Sequence, residues 1–107
     1  MSRAIGIDLG TTFSAIAVLN EFGKAEIVPN AEGERVTPSV VYFGDDDCVV
    51  VGSVAKNSAV SDPHNVVEFI KRQMGNADYA FTHGDTEYGP EQISALILRK
   101  LTQDAER

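Results

Sequence analysis

The chain has 107 residues, 43% of them hydrophobic, with 16 acidic against 9 basic side chains and a net charge of −7. That length suits one small domain with a modest core, the apolar share excludes a disordered chain, and the acidic balance disfavours non-specific binding to nucleic acid or an anionic membrane. The single cysteine, Cys48, excludes an internal disulfide framework and fits a reducing compartment. Met1-Ser2-Arg3 leads straight into a strand pattern with no signal sequence, and no apolar run approaches the ~18 residues of a membrane helix. The expectation is a soluble, cytoplasmic protein.

Residues 4–9 and 13–19 are two apolar runs rich in Ile, Val, Leu and Ala, joined by Gly10-Thr11-Thr12. They predict a β-hairpin in which Gly10 takes a positive φ. A side-chain-free turn lets a ligand approach, and the N–H groups of Thr11, Thr12 and Phe13 can converge on an anion. Asp8 stands at the end of the first strand. Beside a bound phosphate it requires a hard cation between the two negative groups, and Mg²⁺ is the natural one. Turns of this composition also join sheets that bind nothing, so these residues alone leave both readings open.

Asn20 to Lys24 is a turn, and 25–28 a third strand by its alternation. Residues 29–35 form a loop, with Pro38 holding Thr37 extended. Strands follow at 39–43 and 48–51, a second hairpin around the acidic turn Asp45-Asp46-Asp47, which reads as a solvated turn rather than a calcium loop. Ser53 can cap a short helix over 53–60. After the break at 61–64, Asn65 and Glu68 have capping-box spacing. Val66, Phe69, Ile70 and Met74 then predict the apolar face of a helix over 66–74, closed by Gly75-Asn76, with Lys71 and Arg72 on its solvated surface. A third, short hairpin spans 78–88. His64 and His83 have no partner at metal-ligand spacing and read as loop residues. Pro90 and Glu91 open a last helix with Ile93, Leu96, Ile97 and Leu101 as its stripe, and the pattern reaches Arg107 without a stop signal, as if cut.

The run Ile5-Gly6-Ile7-Asp8-Leu9-Gly10-Thr11-Thr12-Phe13-Ser14 resembles the first phosphate motif of the seventy-kilodalton heat-shock chaperones of DnaK type. Pro29-Asn30-Ala31-Glu32-Gly33-Glu34-Arg35-Val36-Thr37-Pro38-Ser39 resembles that family's loop into its second subdomain. Val51-Gly52 through Ala55-Lys56-Asn57 resembles its next helix start, Asp62-Pro63-His64-Asn65 through Ile70-Lys71-Arg72-Gln73-Met74-Gly75 its lysine-bearing helix, and Pro90-Glu91-Gln92-Ile93-Ser94 the start of the helix after it. Sugar kinases and actin share similar phosphate turns, but the other stretches, in family order, set the heat-shock chaperones apart.

The resemblance implies an α/β chain, the N-terminal part of an actin-like ATPase (ribonuclease H-like) fold, with mixed, mainly antiparallel strands and about three helices. It divides the chain into base-lobe strands with the phosphate loop (1–37), an inserted subdomain (38–88) and a connecting helix (89–107). It implies that Gly10, Thr11, Thr12 and Phe13 wrap the β- and γ-phosphates of ATP or ADP, that Asp8 faces Mg²⁺ through water, and that Lys71 is the catalytic lysine beside the γ-phosphate, with Asp8 its catalytic partner. Phe13 departs from the Asn or Tyr usual in the family, and 76–89 is shorter than the family's two-stranded insertion. The second phosphate motif, the adenosine motif and the peptide-binding domain are absent from this sequence. The expectations that follow are an ATP-hydrolysing chaperone with unfolded clients and cochaperones, little activity in this chain alone, and self-association through an uncovered sheet edge. A sugar kinase or a non-hydrolysing nucleotide-binding module are the alternatives.

Overall fold

The computed structural model describes residues 5–45 and 48–106. Met1 to Arg3, the expected strand start at Ala4, Asp46 and Asp47 of the acidic turn, and Arg107 lie outside the described residues.

The first hairpin forms as its apolar runs dictate. β1 (Ile5–Leu9) pairs antiparallel with β2 (Phe13–Leu19), Ile7 opposite Ile16 and Asp8 opposite Ala15. On its other side β2 carries β3 (Ala25–Ile27) at one end and the two-residue β4 (Thr37–Pro38) at the other, with Phe13 opposite Pro38. Among the described residues β1 is therefore an edge of this sheet. Period-two alternation buries Ser14 and Ile16 against the body of the protein, while Ile5 stays 53% and Ile7 40% exposed. Asparagines shape the two following loops. Asn20 Oδ1 accepts the N–H groups of Phe22 and Lys24, and the buried Asn30 does the same for Glu32 and Glu34 while its Nδ2 donates to Thr37 Oγ1 at 2.9 Å.

The second sheet has β5 (Val40–Phe43) between β6 (Val49–Val51) and β7 (Val66–Glu68). α1 (Ser53–Ser61) lies on β5 with Ala55 fully buried. Its N-cap is Gly52 at φ 107°, ψ −146°, a conformation for glycine, and Ser53 does not cap; its Oγ donates to the Glu34 carboxylate at 2.8 Å. A third pair, β8 (Phe81–His83) and β9 (Thr86–Tyr88), turns at Gly84 and docks through Phe81 and Tyr88, whose rings stand 4.9 and 4.8 Å from that of Phe43. His83 is a strand residue rather than a loop residue, held between Asn65 Oδ1 and the Gly44 carbonyl at 3.2 and 3.0 Å. α2 (Pro90–Ala105) starts with Pro90 in its first turn, as expected, and buries Ile93, Ile97 and Leu101. With Val41, Phe43, Val67 and Ile70 these form the core.

The helix expected over 66–74 does not form. Val66 and Val67 pair with Tyr42 and Val41 as β7, Phe69 breaks the strand, and Ile70–Gln73 is a single 3₁₀ turn. Two adjacent β-branched residues fit a ladder better than a helix, and the open edge of β5 decides the matter. The expected apolar face dissolves with it: Val67 and Ile70 are buried, whereas Phe69 and Met74 are 40% and 45% exposed. Pro63–Asn65 is a second 3₁₀ turn, so two α-helices stand among the described residues rather than three.

Candidate phosphate-turn site

Pairing of Leu9 with Ser14 leaves Gly10, Thr11, Thr12 and Phe13 to reverse the chain. The reversal does not use a positive φ at Gly10, contrary to expectation. Glycine is needed there on steric grounds, because a Cβ would collide with the Phe13 carbonyl oxygen inside the turn.

The turn is braced from the segment after it. Ser39 N–H donates to the Thr12 carbonyl at 2.9 Å, and Ser39 Oγ donates to the Gly10 carbonyl at 2.9 Å. Ser14 Oγ lies 2.8 Å from Ser39 Oγ, and both serines are almost fully buried. Two carbonyls are thus drawn to one side of the turn. Among the described residues, the N–H groups of Thr11 and Thr12 find no backbone acceptor, so they remain for an anion.

Thr11 and Thr12 line a cleft of about 60 Å³ with Ser39, Val40, Lys56, Glu68 and Phe69. Pockets that enclose whole small molecules run to about 300–1,000 Å³, so this cleft is far smaller than those. Lys56 brings a positive charge to its rim, with Nζ 5.2 Å from the centre of the Phe13 ring. A larger groove of about 560 Å³ runs along Val49, Val51, Val54 and Leu96, but it holds none of the expected site residues. Its charges are mostly spent: Lys100 Nζ bridges Glu32 at 3.0 Å and Asp104 at 2.7 Å. Burial lowers the Lys100 pKa, the hydrogen bonds to Asp104 and Glu32 raise it, and the net shift is upward.

The expected site residues are only partly assembled. Thr11 and Thr12 line the cleft, Gly10 forms the turn behind them, and Phe13 packs under Lys56. Asp8 is exposed on β1 one residue before Leu9 closes the strand. Lys71 is exposed in the 3₁₀ turn immediately beyond the cleft wall at Phe69 and does not line it. Sequence reasoning missed Ser14, Ser39, Lys56 and Phe69. Nothing local to Ser39 signals its bond to a turn 29 residues earlier.

The sequence model of the family described as Hsp70 protein matches residues 4–83. The chain is also 51% identical over 104 residues to the chaperone protein DnaK of Halobacterium salinarum, in each of two strains. That match takes in 97% of this chain and 16% of the relative, so the chain spans about one sixth of the length of the curated relatives it matches.

Proposed function

The chain belongs to the Hsp70 family, and on that premise we propose that it forms the opening part of the nucleotide-binding domain of an ATP-hydrolysing chaperone. The observation that supports this most is the braced turn: Ser39 holds the Gly10 and Thr12 carbonyls, the N–H groups of Thr11 and Thr12 find no backbone acceptor among the described residues, and both threonines line a small cleft. In this reading, 1–37 belong to the base lobe, 38–88 to an inserted subdomain and 89–107 to a connecting helix.

The residues present fit a phosphate group and a water-held cation. Gly10, Thr11, Thr12 and Phe13 take the β- and γ-phosphates of ATP or ADP through backbone N–H groups, a role indifferent to the aromatic side chain at Phe13. The Asp8 carboxylate makes no hydrogen bond or ion pair among the described residues, and no cluster of three His, Cys, Asp or Glu side chains able to hold a metal occurs among them. A single carboxylate suits Mg²⁺ reached through water, with phosphate completing the shell. When bound, Mg²⁺ supplies charge neutralisation at the phosphates.

Phosphoryl transfer depends on positioning and on stabilising spread negative charge. Lys71 provides a compact positive charge on a flexible stem, suited to the γ-phosphate and the attacking water. Asp8, as its catalytic partner, would hold the water-bound cation. ATP turnover is coupled to the folding of unfolded protein clients, with cochaperones engaging the whole protein.

The test uses the full chain as its source makes it. Lys71→Ala should lower ATP hydrolysis by about 100-fold or more while leaving ADP affinity within about threefold, as expected for charge stabilisation confined to the transition state. Undiminished hydrolysis in Lys71→Ala, or a full chain that binds no nucleotide, overturns the reading.

A further inference from the structure

Phe69 is the one non-glycine residue with a positive φ among the described residues, at φ 58° and ψ 32°. Left-handed backbone is a genuine outlier for a bulky side chain. Such strain persists only where the surroundings over-determine it, and it concentrates at functional sites.

The surroundings here are explicit. Val67 on β7 and Ile70 in the 3₁₀ turn are both buried, and only Glu68 and Phe69 separate them. A strand continued past Glu68 would send Phe69 into the core and Ile70 outward. The left-handed residue inverts that alternation. Ile70 enters the core, Phe69 turns outward, and its ring lies 4.7 Å from the Arg72 guanidinium carbon. The inversion seats Ile70 in the core cluster with Ile93 and Ile97, the 70–73 turn packing on α2, and it also fixes where the chain goes next. Phe69 forms a wall of the Thr11–Thr12 cleft, and the chain leaves that wall directly into the turn carrying Lys71.

We infer that Phe69 is a positioning residue whose left-handed backbone sets the course of the 70–73 turn, and with it Lys71, where the chain leaves the wall of the Thr11–Thr12 cleft. The inference rests on the nucleotide-hydrolysing reading for the role of Lys71, and on geometry alone for the course of the turn. Backbone conformation, not the ring, is the operative feature.

The test compares Phe69→Val, whose β-branched side chain is the least compatible with this backbone, with Phe69→Asn, the most tolerant non-glycine choice. Both lose the ring. In the full chain, Phe69→Val should lower kcat for ATP hydrolysis by about 100-fold with KM within about threefold, as for a misplaced catalytic group. Phe69→Asn should recover most of that turnover, and a crystal structure of Phe69→Val should show the 70–73 turn displaced from Thr11 and Thr12. Arg72→Ala should leave kcat near the parent's. Equal losses in the Val and Asn variants, parental kcat in Phe69→Val, or an undisplaced turn in its crystal structure overturns the inference. If Phe69→Val does not fold, Phe69→Ala against Phe69→Gly poses the same comparison with less strain. A parent chain that binds no nucleotide removes the hydrolytic reading, while the crystal structure still decides the course of the turn.

Discussion

Replacing Ser39 with alanine removes one hydroxyl and disturbs two partners. Ser39 Oγ donates to the Gly10 carbonyl at 2.9 Å and meets Ser14 Oγ at 2.8 Å, with Ser14 only 1% exposed. A buried polar group left without a partner costs about 1–3 kcal/mol. Ser14 bears that cost in full, whereas the part-buried Gly10 carbonyl recovers some of it from water, so the expected loss is about 2 kcal/mol. Against a domain stability of about 5–15 kcal/mol this is large. At a urea slope of about 1–3 kcal/mol per molar, it moves the unfolding midpoint down by roughly 1 M, read by far-ultraviolet circular dichroism. The control is Ser14→Ala/Ser39→Ala. Removing both hydroxyls leaves no orphaned side chain between them, so the double variant should lose less than the sum of the singles, by about 1 kcal/mol in a double-mutant cycle. Additive losses, or a Ser39→Ala chain as stable as its parent, would falsify the bracing assigned to this pair.

Gly10→Ala sets a Cβ against the Phe13 carbonyl, a backbone atom that cannot swing away; ADP binding by the full chain should be abolished while circular dichroism stays near the parent's, and retained affinity would show that the turn has slack. The 107-residue chain alone should hydrolyse ATP little or not at all, since it spans about one sixth of the length of its curated relatives and Lys71 does not line the Thr11–Thr12 cleft; turnover matching that of a complete family member under the same conditions contradicts this. The uncovered edge of β1, with Ile5 and Ile7 exposed, should drive concentration-dependent association of the chain in sedimentation velocity, and Ile7→Lys should suppress it; a monomer at every concentration refutes the edge contact. The raised pKa of Lys100 means that its pairing with Asp104 and Glu32 supports the fold fully below its unfolded pKa of about 10.4 and is lost as pH rises through the higher folded value. Lys100→Met should therefore flatten the alkaline limb of the stability profile, and an unchanged limb would assign it to other groups.

Where local chemistry decided the structure, the sequence was legible. The apolar runs of Ile, Val, Leu and Ala on either side of Gly10-Thr11-Thr12 marked the first hairpin, and Pro90 with the Ile93–Ile97–Leu101 spacing marked α2. Where tertiary pairing decided, it misled. Val66, Phe69, Ile70 and Met74 carry a helical period, yet the open side of β5 takes Val66 and Val67 into its ladder. Ser53 looks like a cap but serves the Glu34 carboxylate from another loop. The turn between Leu9 and Ser14 was visible in Gly10-Thr11-Thr12, because turn chemistry is local. Its brace was not, since Ser14 and Ser39 meet across 25 residues and neither has a neighbour that announces it. Lys56 and Phe69 reach the cleft only because α1 and β7 both flank β5.

Residues 37–43 run without a turn from one sheet into the other, Thr37 and Pro38 laddered to β2 and Val40 to Phe43 forming the centre of the second sheet. Ser39 is the joint between the two, and it is also the residue that grips Gly10 and Thr12. The same residue thus fastens the first turn to the point where the chain passes between the sheets, so a substitution at Ser39 disturbs the turn and the passage together.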